Sequence, residues 1–254
     1  MKFRLMSDLH LEFAPFEVPS LPEDHETTLL LAGDIAVGER PHTYVDFLIK
    51  ASAQFAHVVY VPGNHEYYGG NIGTTWQFMK DTMAEALGTV RNLHMINNET
   101  VTVGDTTIIG ATLWTDFLNG NPLEMLNAQA MMNDYRKIRE GKRKIRPYDT
   151  LKLHQKSKFY IFQQLRALRP EGSNEGPMND ILIMTHHAPS TKSISPQYAN
   201  SPVNGSYANN LPIPVTWVHG HVHTSNDYYA PARVLSNPRG YEDENKEFDP
   251  WLRF

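Results

Sequence analysis

Gly63-Asn64-His65-Glu66 follows a short apolar run, His57 to Val61, and a Pro62 that stops it. An amide oxygen that can bind a metal ion and an imidazole that can move a proton therefore stand side by side where a strand ends. The same event recurs on both sides of this stretch. Upstream, Thr43 to Phe55 has helical spacing of Tyr44, Phe47, Leu48 and Phe55, and before it Leu29-Leu30-Leu31-Ala32 reads as a strand buried on both faces that ends at Gly33-Asp34. Further back, a strand from Phe3 to Met6 runs into Ser7-Asp8-Leu9-His10. Side chains two apart in an extended segment share a face, so Asp8 and His10 can address one ion while Leu9 turns into the core. Strand, acidic residue, helix, strand, polar turn is a βαβ rhythm and implies an α/β architecture.

Downstream, Trp76 to Leu87 reads as a second amphipathic helix with Gly88 as its stop. Leu93 to Ile96, Thr100 to Val103 and Thr106 to Leu113 read as strands of a second, structural sheet, the last two joined by a Gly104-Asp105 turn. From Asn121 to Pro170 the pattern is helical: Pro122 starts one helix running through Tyr135, and Asp149 caps another that reaches Leu168. The basic run between them, Arg136 to Arg146, reads either as a solvated helix end or as a cationic rim that draws in a phosphorylated substrate. A Gly/Asn/Glu-rich loop spans Glu171 to Asp180. Ile181 to Met184 is another buried strand, ending at Thr185-His186-His187. After a long loop, Ser190 to Pro214, Val215 to Val218 feeds His219-Gly220-His221-Val222-His223. Short strands follow around Asp227 to Ala230 and Arg233 to Ser236, then a turn at Asn237-Pro238-Arg239-Gly240.

The 254 residues suffice for one large domain, and 41% hydrophobic with 20% charged residues describes an ordinary globular chain. With no cysteine, any metal must be held by nitrogen and oxygen, which suits manganese, iron, zinc or similar ions. A net charge of −5 offers no global attraction to nucleic acid or to an anionic membrane. No apolar run approaches a membrane span, and the N-terminus turns acidic at Asp8 before a signal-peptide core can form, so a cytoplasmic location is expected.

Five apolar strands thus each end in Asp, Asn or His, and in open α/β sheets ligands bind in the crevice at the carboxyl ends of the strands. A lone histidine or a lone aspartate after a strand is ordinarily structural; five together point to a site. Asp8-x-His10, Gly33-Asp34, Gly63-Asn64-His65-Glu66, His186 after a buried strand, and Gly220-His221-x-His223 resemble, in this order, the calcineurin-like metallophosphoesterases. The resemblance spans Asp8 to His223. It implies a four-layer αββα sandwich of two mixed sheets flanked by helices, with a helical insertion around 121–170. It implies two metal ions, one on Asp8, His10, Asp34 and His223 and the other on Asp34, Asn64, His186 and His221, with His186 rather than His187 as the ligand. It also implies attack of a metal-bridging hydroxide on phosphorus, with His65 as the general acid that protonates the leaving oxygen. Glu66 is read as a hydrogen-bond acceptor behind the ligands.

The protein Ser/Thr phosphatases continue Gly-Asp with Val-Asp-Arg-Gly, whereas here Ile35-Ala36-Val37-Gly38 follows, which argues against that activity and leaves the orienting partner of His65 unidentified. The expected partner is a small phosphorylated molecule, a nucleotide among the candidates. Arg136 and Arg239 read either as phosphate clamps or as surface salt-bridge residues, and Tyr198 and Tyr207 either as stacking partners for a base or as residues that pack their loop down. A binding module on the same scaffold, without turnover, is the competing expectation. It is weakened by the presence of His65, because non-catalytic members of the family lack that histidine.

Overall fold

The structure is a computed structural model and describes residues 2–169, 181–242 and 244–254, so the expected loop at Glu171 to Asp180 lies outside the described residues. The first sheet has the order β1-β2-β3-β4 and is parallel throughout: β1 (Lys2–Met6), β2 (Thr27–Ala32), β3 (His57–Val61) and β4 (Leu93–Met95). Helices α1 (Pro41–Gln54) and α2 (Thr75–Leu87) cover its outer face. Pro41 at the first helical position supplies the fixed φ that starts α1, and Gly88, at φ 57, ends α2 where a side chain would be strained.

The second sheet contains β5 (Glu99–Val103), β6 (Thr106–Ala111), β9 (Ile181–Thr185), β10 (Trp217–His219), β11 (Asn226–Tyr229) and β12 (Arg233–Ser236), in the order β11-β12-β10-β9-β6-β5. Between the two halves of this sheet in sequence lie a distorted turn α3 (Phe117–Gly120), α4 (Pro122–Met131), α5 (Asp134–Lys137), the two-residue strands β7 (Arg139–Glu140) and β8 (Arg143–Lys144), and α6 (Pro147–Leu168).

Alternation along each strand divides the apolar residues between layers. Leu5, Leu30, Val59 and Val61 face Ile108, Leu182, Met184 and Val218 across the gap between the sheets. Leu29, Leu31, Val58 and Tyr60 face Tyr44, Leu48, Met79 and Met83 of the helices. On the far side Ile109, Ile183, Trp217 and Val234 pack on Ile161 and Leu165 of α6. Each fully buried side chain of this size contributes about 1.5–3 kcal/mol, so the three apolar layers dominate the stability of the four-layer αββα arrangement.

Several expectations are corrected. The strands after Gly88 do not form a separate structural sheet: β4 pairs with β3, while β6 lies parallel to β9, the strand that carries His186. The helix begun by Pro122 stops at Met131, and the basic run starts as the end of α5, at Arg136 and Lys137, and continues as the β7–β8 hairpin. Asp149 is the third residue of α6, not its cap, and accepts the Arg146 backbone N–H from there at 2.9 Å. Within the 121–170 stretch, α6 packs on the second sheet through Ile161 and Leu165.

Candidate metal centre

Parallel β1, β2 and β3 release their chains at one edge of the first sheet, and parallel β9 and β10 release theirs in the second. The segment after β1 then runs beside the segment after β2, with Asp8 and His10 backbone N–H groups donating to the Gly33 and Asp34 carbonyls. Each chain turns sharply as it leaves its strand. Asp8 (φ 51), His10 (φ 48), Asp34 (φ 53), His221 (φ 69) and His223 (φ 47) all sit in the left-handed region, which costs a residue with a side chain roughly 1–3 kcal/mol. Five strained residues at one place must be over-determined by their surroundings. Two glycines make the close approach: a Cβ on Gly63 would overlap Asp34 Oδ1 and stand 2.7 Å from His186 Nε2, and one on Gly33 would meet Gly63 N at 2.8 Å.

The turns place two clusters side by side. In the first, His10 Nε2 and His223 Nε2 lie 3.2 Å apart and His223 Nε2 lies 3.3 Å from Asp8 Oδ1. In the second, His186 Nε2 lies 3.0 Å from Asn64 Oδ1 and 3.4 Å from Asp34 Oδ1, with His221 beside them. Potential ligand atoms of His10, Asp34 and His65 also lie within 4.8 Å of one another and join the two clusters. Donors about 2.0–2.2 Å from one ion at right-angle to tetrahedral spacing stand roughly 3.0–3.5 Å apart, which these separations match.

Proton placement agrees. His186 Nδ1 is 2.9 Å from the Ala32 carbonyl, which accepts only, so Nδ1 donates and Nε2 presents a lone pair to the cluster. His221 Nε2 is buried without a hydrogen-bond partner among the described residues, an orphan that a metal ion would satisfy. The donor set therefore fits two divalent ions held by nitrogen and oxygen.

His187, by contrast, faces the Thr112 carbonyl with Nδ1 at 3.2 Å and packs on Trp114. Burial, then the neighbouring His186, pushes it down to about 3. At His186 burial works against the charged form, but Asp34 outweighs it and raises the imidazole to about 9. At His223 the opposing pair is burial against Asp8 and Glu244, and the result is about 10. The field that favours these protons is the field a cation would meet. Asp34, despite burial, is held well below the ordinary carboxylate value by His186 and His65.

Four residues around the clusters have no strand-end signature in the sequence. Glu12 Oε1 accepts from His65 Nδ1 at 2.8 Å and lies 3.3 Å from His10 Nδ1; burial would raise this carboxyl, but the two histidines hold it at about 2. Its one signal is the alternation Asp8-x-His10-x-Glu12. Asp134, in the insertion, accepts from Asn64 Nδ2 at 2.8 Å and from the Tyr68 hydroxyl at 2.7 Å, which fixes the Asn64 amide with its oxygen toward His186. Glu244 lies 2.6 Å from His223 Nδ1. The Tyr241 ring stacks on His10 with centroids 4.6 Å apart.

Glu66 is placed as expected, behind the clusters: its two oxygens accept from the backbone N–H groups of Asp34, Ile35 and Gly63 and from the Tyr60 hydroxyl. It thereby ties the turn after β2 to the turn after β3. The candidate phosphate clamps are not brought to the site. Arg239 is spent on the Leu9 and Ala14 carbonyls at 3.0 and 3.2 Å, and Arg136 bonds the Ala130 carbonyl and lines a groove separate from the cavity beside the clusters. Tyr198 and Tyr207 do line the cavity beside the clusters, and Tyr207 stacks on His221 at 4.7 Å.

The family description "Calcineurin-like phosphoesterase" matches residues 1–225, the stretch that contains every residue of both clusters. The chain belongs to this family. A calcineurin-like phosphoesterase is in general a metal-dependent phosphoesterase, and the His/Asp clusters described above are groups that could bind metal. The Uncharacterized protein L509 of Acanthamoeba polyphaga mimivirus is 30% identical over 281 residues, covering 98% of this chain and 94% of that protein. The crystal structure of phosphopantetheinyl hydrolase from Mycobacterium tuberculosis shares the fold, with a TM-score of 0.66 at 17% identity over 96% of this chain and 90% of that one. No helix among the described residues is long and apolar enough to cross a membrane.

Proposed function

We propose that this calcineurin-like phosphoesterase hydrolyses a small phosphoric ester at a dinuclear centre, with Asp8, His10, Asp34 and His223 holding one ion and Asp34, Asn64, His186 and His221 the other. When bound, two such ions would acidify a water and brace the attacking and leaving oxygens of a phosphoryl group. The observation that carries the reading is the pair of adjacent nitrogen and oxygen clusters joined by Asp34, with His221 Nε2 buried and unpartnered. The donors favour manganese, iron or zinc over calcium or magnesium, because imidazole is the commonest ligand type here.

His65 is assigned the proton delivered to the leaving oxygen. Its Nδ1 is engaged by Glu12, which turns Nε2 to the cavity, where it is hydrogen-bonded to the Tyr241 hydroxyl at 3.3 Å and stands 3.9 Å from Asp34 Oδ2. Burial disfavours the imidazolium, but Asp34 and Glu12 outweigh it and raise the group above its ordinary value, so that it carries a proton to give. The Tyr68 and His10 rings pack against the imidazole with centroids 4.1 and 4.4 Å away. Glu12 thus does the orienting work that the Ser/Thr phosphatases give to an aspartate in the stretch after Gly-Asp.

The test is hydrolysis of p-nitrophenyl phosphate and bis-p-nitrophenyl phosphate by protein loaded with manganese, its metal content measured in parallel. Turnover of either ester, abolished by Asp34→Ala, is expected. Two ions bound with no turnover of either ester would overturn the catalytic reading in favour of a binding module.

A further inference from the structure

We propose that the cavity beside the clusters takes an uncharged organic group joined to the reacting phosphate, and that the site selects against a substrate carrying a second anionic group at its far end; this rests on the phosphoesterase reading above. The cavity measures about 320 Å³. That is at the small end of the roughly 300–1,000 Å³ range of ligand pockets, room for one small organic group and not for a polymer. Its inner end is formed by Asp34, Asn64, His65, His221 and His223, where the phosphate would sit. Its outer walls come from two segments: Met131 and Met132 at the end of α4, and Ile194, Tyr198, Val203 and Tyr207 of the loop after β9. The polar groups among them are the neutral side chains of Asn133, Asn204, Ser195 and Ser201. These can pair with amides and hydroxyls, whereas no lysine or arginine lines the cavity among the described residues. The carboxylates present, Asp34 and Glu244, belong to the inner end, where Glu244 is paired with His223 at 2.6 Å, so the outer walls carry no charge of either sign among the described residues. An anionic far end would lose water and find no cation, and burying an unpaired charge is heavily penalised.

The cations are not far away but they face elsewhere. Arg40, Arg136, Lys137 and Lys144 line a separate groove of about 440 Å³, with Tyr68 shared between the two. Lys137 Nζ lies over the Tyr68 ring at 4.9 Å, and Arg136, Lys137 and Lys144 of the basic run line this groove and not the cavity.

The discriminating substrates are two phosphate monoesters of the same hexyl chain, one ending in a primary amide and the other in a carboxylate, with p-nitrophenyl phosphate as a probe of the chemistry alone. Manganese-loaded wild type should turn over the amide ester with kcat/KM at least tenfold above the carboxylate ester, on the order expected when a charge is left unpaired in a pocket. Met131→Lys places a cation at the cavity wall from a side chain that is 53% exposed and should remove or invert that preference. Leu126→Lys, on α4 outside the cavity and 65% exposed, should leave it unchanged. The matching phosphonates, bound to the same protein and followed by calorimetry, give the order of affinity without turnover. Hydrolysis of p-nitrophenyl phosphate together with equal or better use of the carboxylate ester overturns the inference while the phosphoesterase reading stands, and would place the far end in the cationic groove. Absence of hydrolysis of all three esters overturns the reading itself, and the phosphonate affinities then decide the selectivity: equal or tighter binding of the carboxylate form refutes it.

Discussion

Replacing Glu12 by glutamine tests the assignment of His65 most directly, because it keeps the shape of the side chain and removes only its charge. The Glu12 side chain is 3% exposed and its Oε1 lies 2.8 Å from His65 Nδ1. Two unit charges about 4 Å apart at an effective dielectric constant of about 20 interact by about 4 kcal/mol. That sets the order of what the glutamate contributes to a protonated His65. At about 1.4 kcal/mol per decade, it corresponds to a loss of up to roughly 10³-fold in any step that needs this proton. General acid catalysis contributes about 10²–10⁴-fold, so the two figures agree in order. The loss depends on the leaving group. An alkoxide is a strong base that must be protonated as it departs, whereas p-nitrophenolate leaves unaided. Glu12→Gln should therefore lower kcat for an alkyl phosphate by about 10²–10³-fold and for p-nitrophenyl phosphate by less than about tenfold. Phosphate release measures the first and absorbance the second. Metal content is measured alongside, because Glu12 also lies 3.3 Å from His10 Nδ1. Equal losses on both esters with both ions retained would refute the orienting role. Loss of metal, with rates restored at saturating metal, would assign Glu12 to His10 instead.

Asp134→Ala frees the Asn64 amide to rotate, so metal affinity should fall by about 10–100-fold in a titration followed by calorimetry, while the urea midpoint of the apo protein moves little by comparison. Gly63→Ala has no backbone strain to overcome but puts its methyl group into Asp34 and His186, and should bind fewer than two ions per chain by elemental analysis. Arg4 is fully buried and donates to both Asp24 oxygens at 2.7 and 2.8 Å; Arg4→Met removes the only cation on that carboxylate among these contacts, leaving it to Gln54 and the Leu21 N–H, and should cost about 3–5 kcal/mol in urea denaturation. His154, buried in α6, is held below its ordinary 6.5 mainly by burial. The unfolded chain therefore takes up the proton first: this contribution to stability is complete above about pH 6.5 and is lost, at up to about 1.4 kcal/mol per pH unit, as the pH falls toward the lower folded value. His154→Gln should remove that part of the slope, and an unchanged slope would show that His154 is not its source.

What the sequence discloses and what it conceals follow from where each interaction is made. Asp8, His10, Asp34, Asn64 and His186 are legible because each follows an apolar strand, and parallel strands deliver their C-terminal ends to one edge; local pattern and topology coincide. The pairing of β4 with β3, and of β6 with β9, is not legible, because alternation specifies which face a strand buries but not which neighbour it takes. The stop of α4 at Met131 and the hairpin at Arg139 to Lys144 were hidden for a similar reason: tertiary contacts of Met132, Ile138 and Ile145 with the main core overrode a basic run that locally reads as helix.

The same reasoning explains why the supporting shell escaped. Glu12, Asp134 and Glu244 act on histidines and an asparagine that are 53, 70 and 21 residues away in the chain. Beyond the alternation that links Glu12 to Asp8 and His10, nothing local separates a carboxylate that orients a ring or an amide from one that meets solvent. Yet this shell determines which tautomer each imidazole adopts and therefore which nitrogen is left to act. With Nδ1 of His65, His186 and His223 each committed to an oxygen, all three rings are forced to present Nε2 to the same space. Two of those nitrogens lie in the clusters assigned to metal, and the third faces the cavity. The difference between ligand and proton donor at this centre therefore lies not in residue type but in what the ring nitrogen meets: His186 Nε2 has Asn64 Oδ1 and Asp34 Oδ1 within 3.4 Å, whereas His65 Nε2 has the Tyr241 hydroxyl at 3.3 Å and stands 3.9 Å from Asp34 Oδ2, so its nearest partner is a neutral hydroxyl at the cavity and not a ligand oxygen.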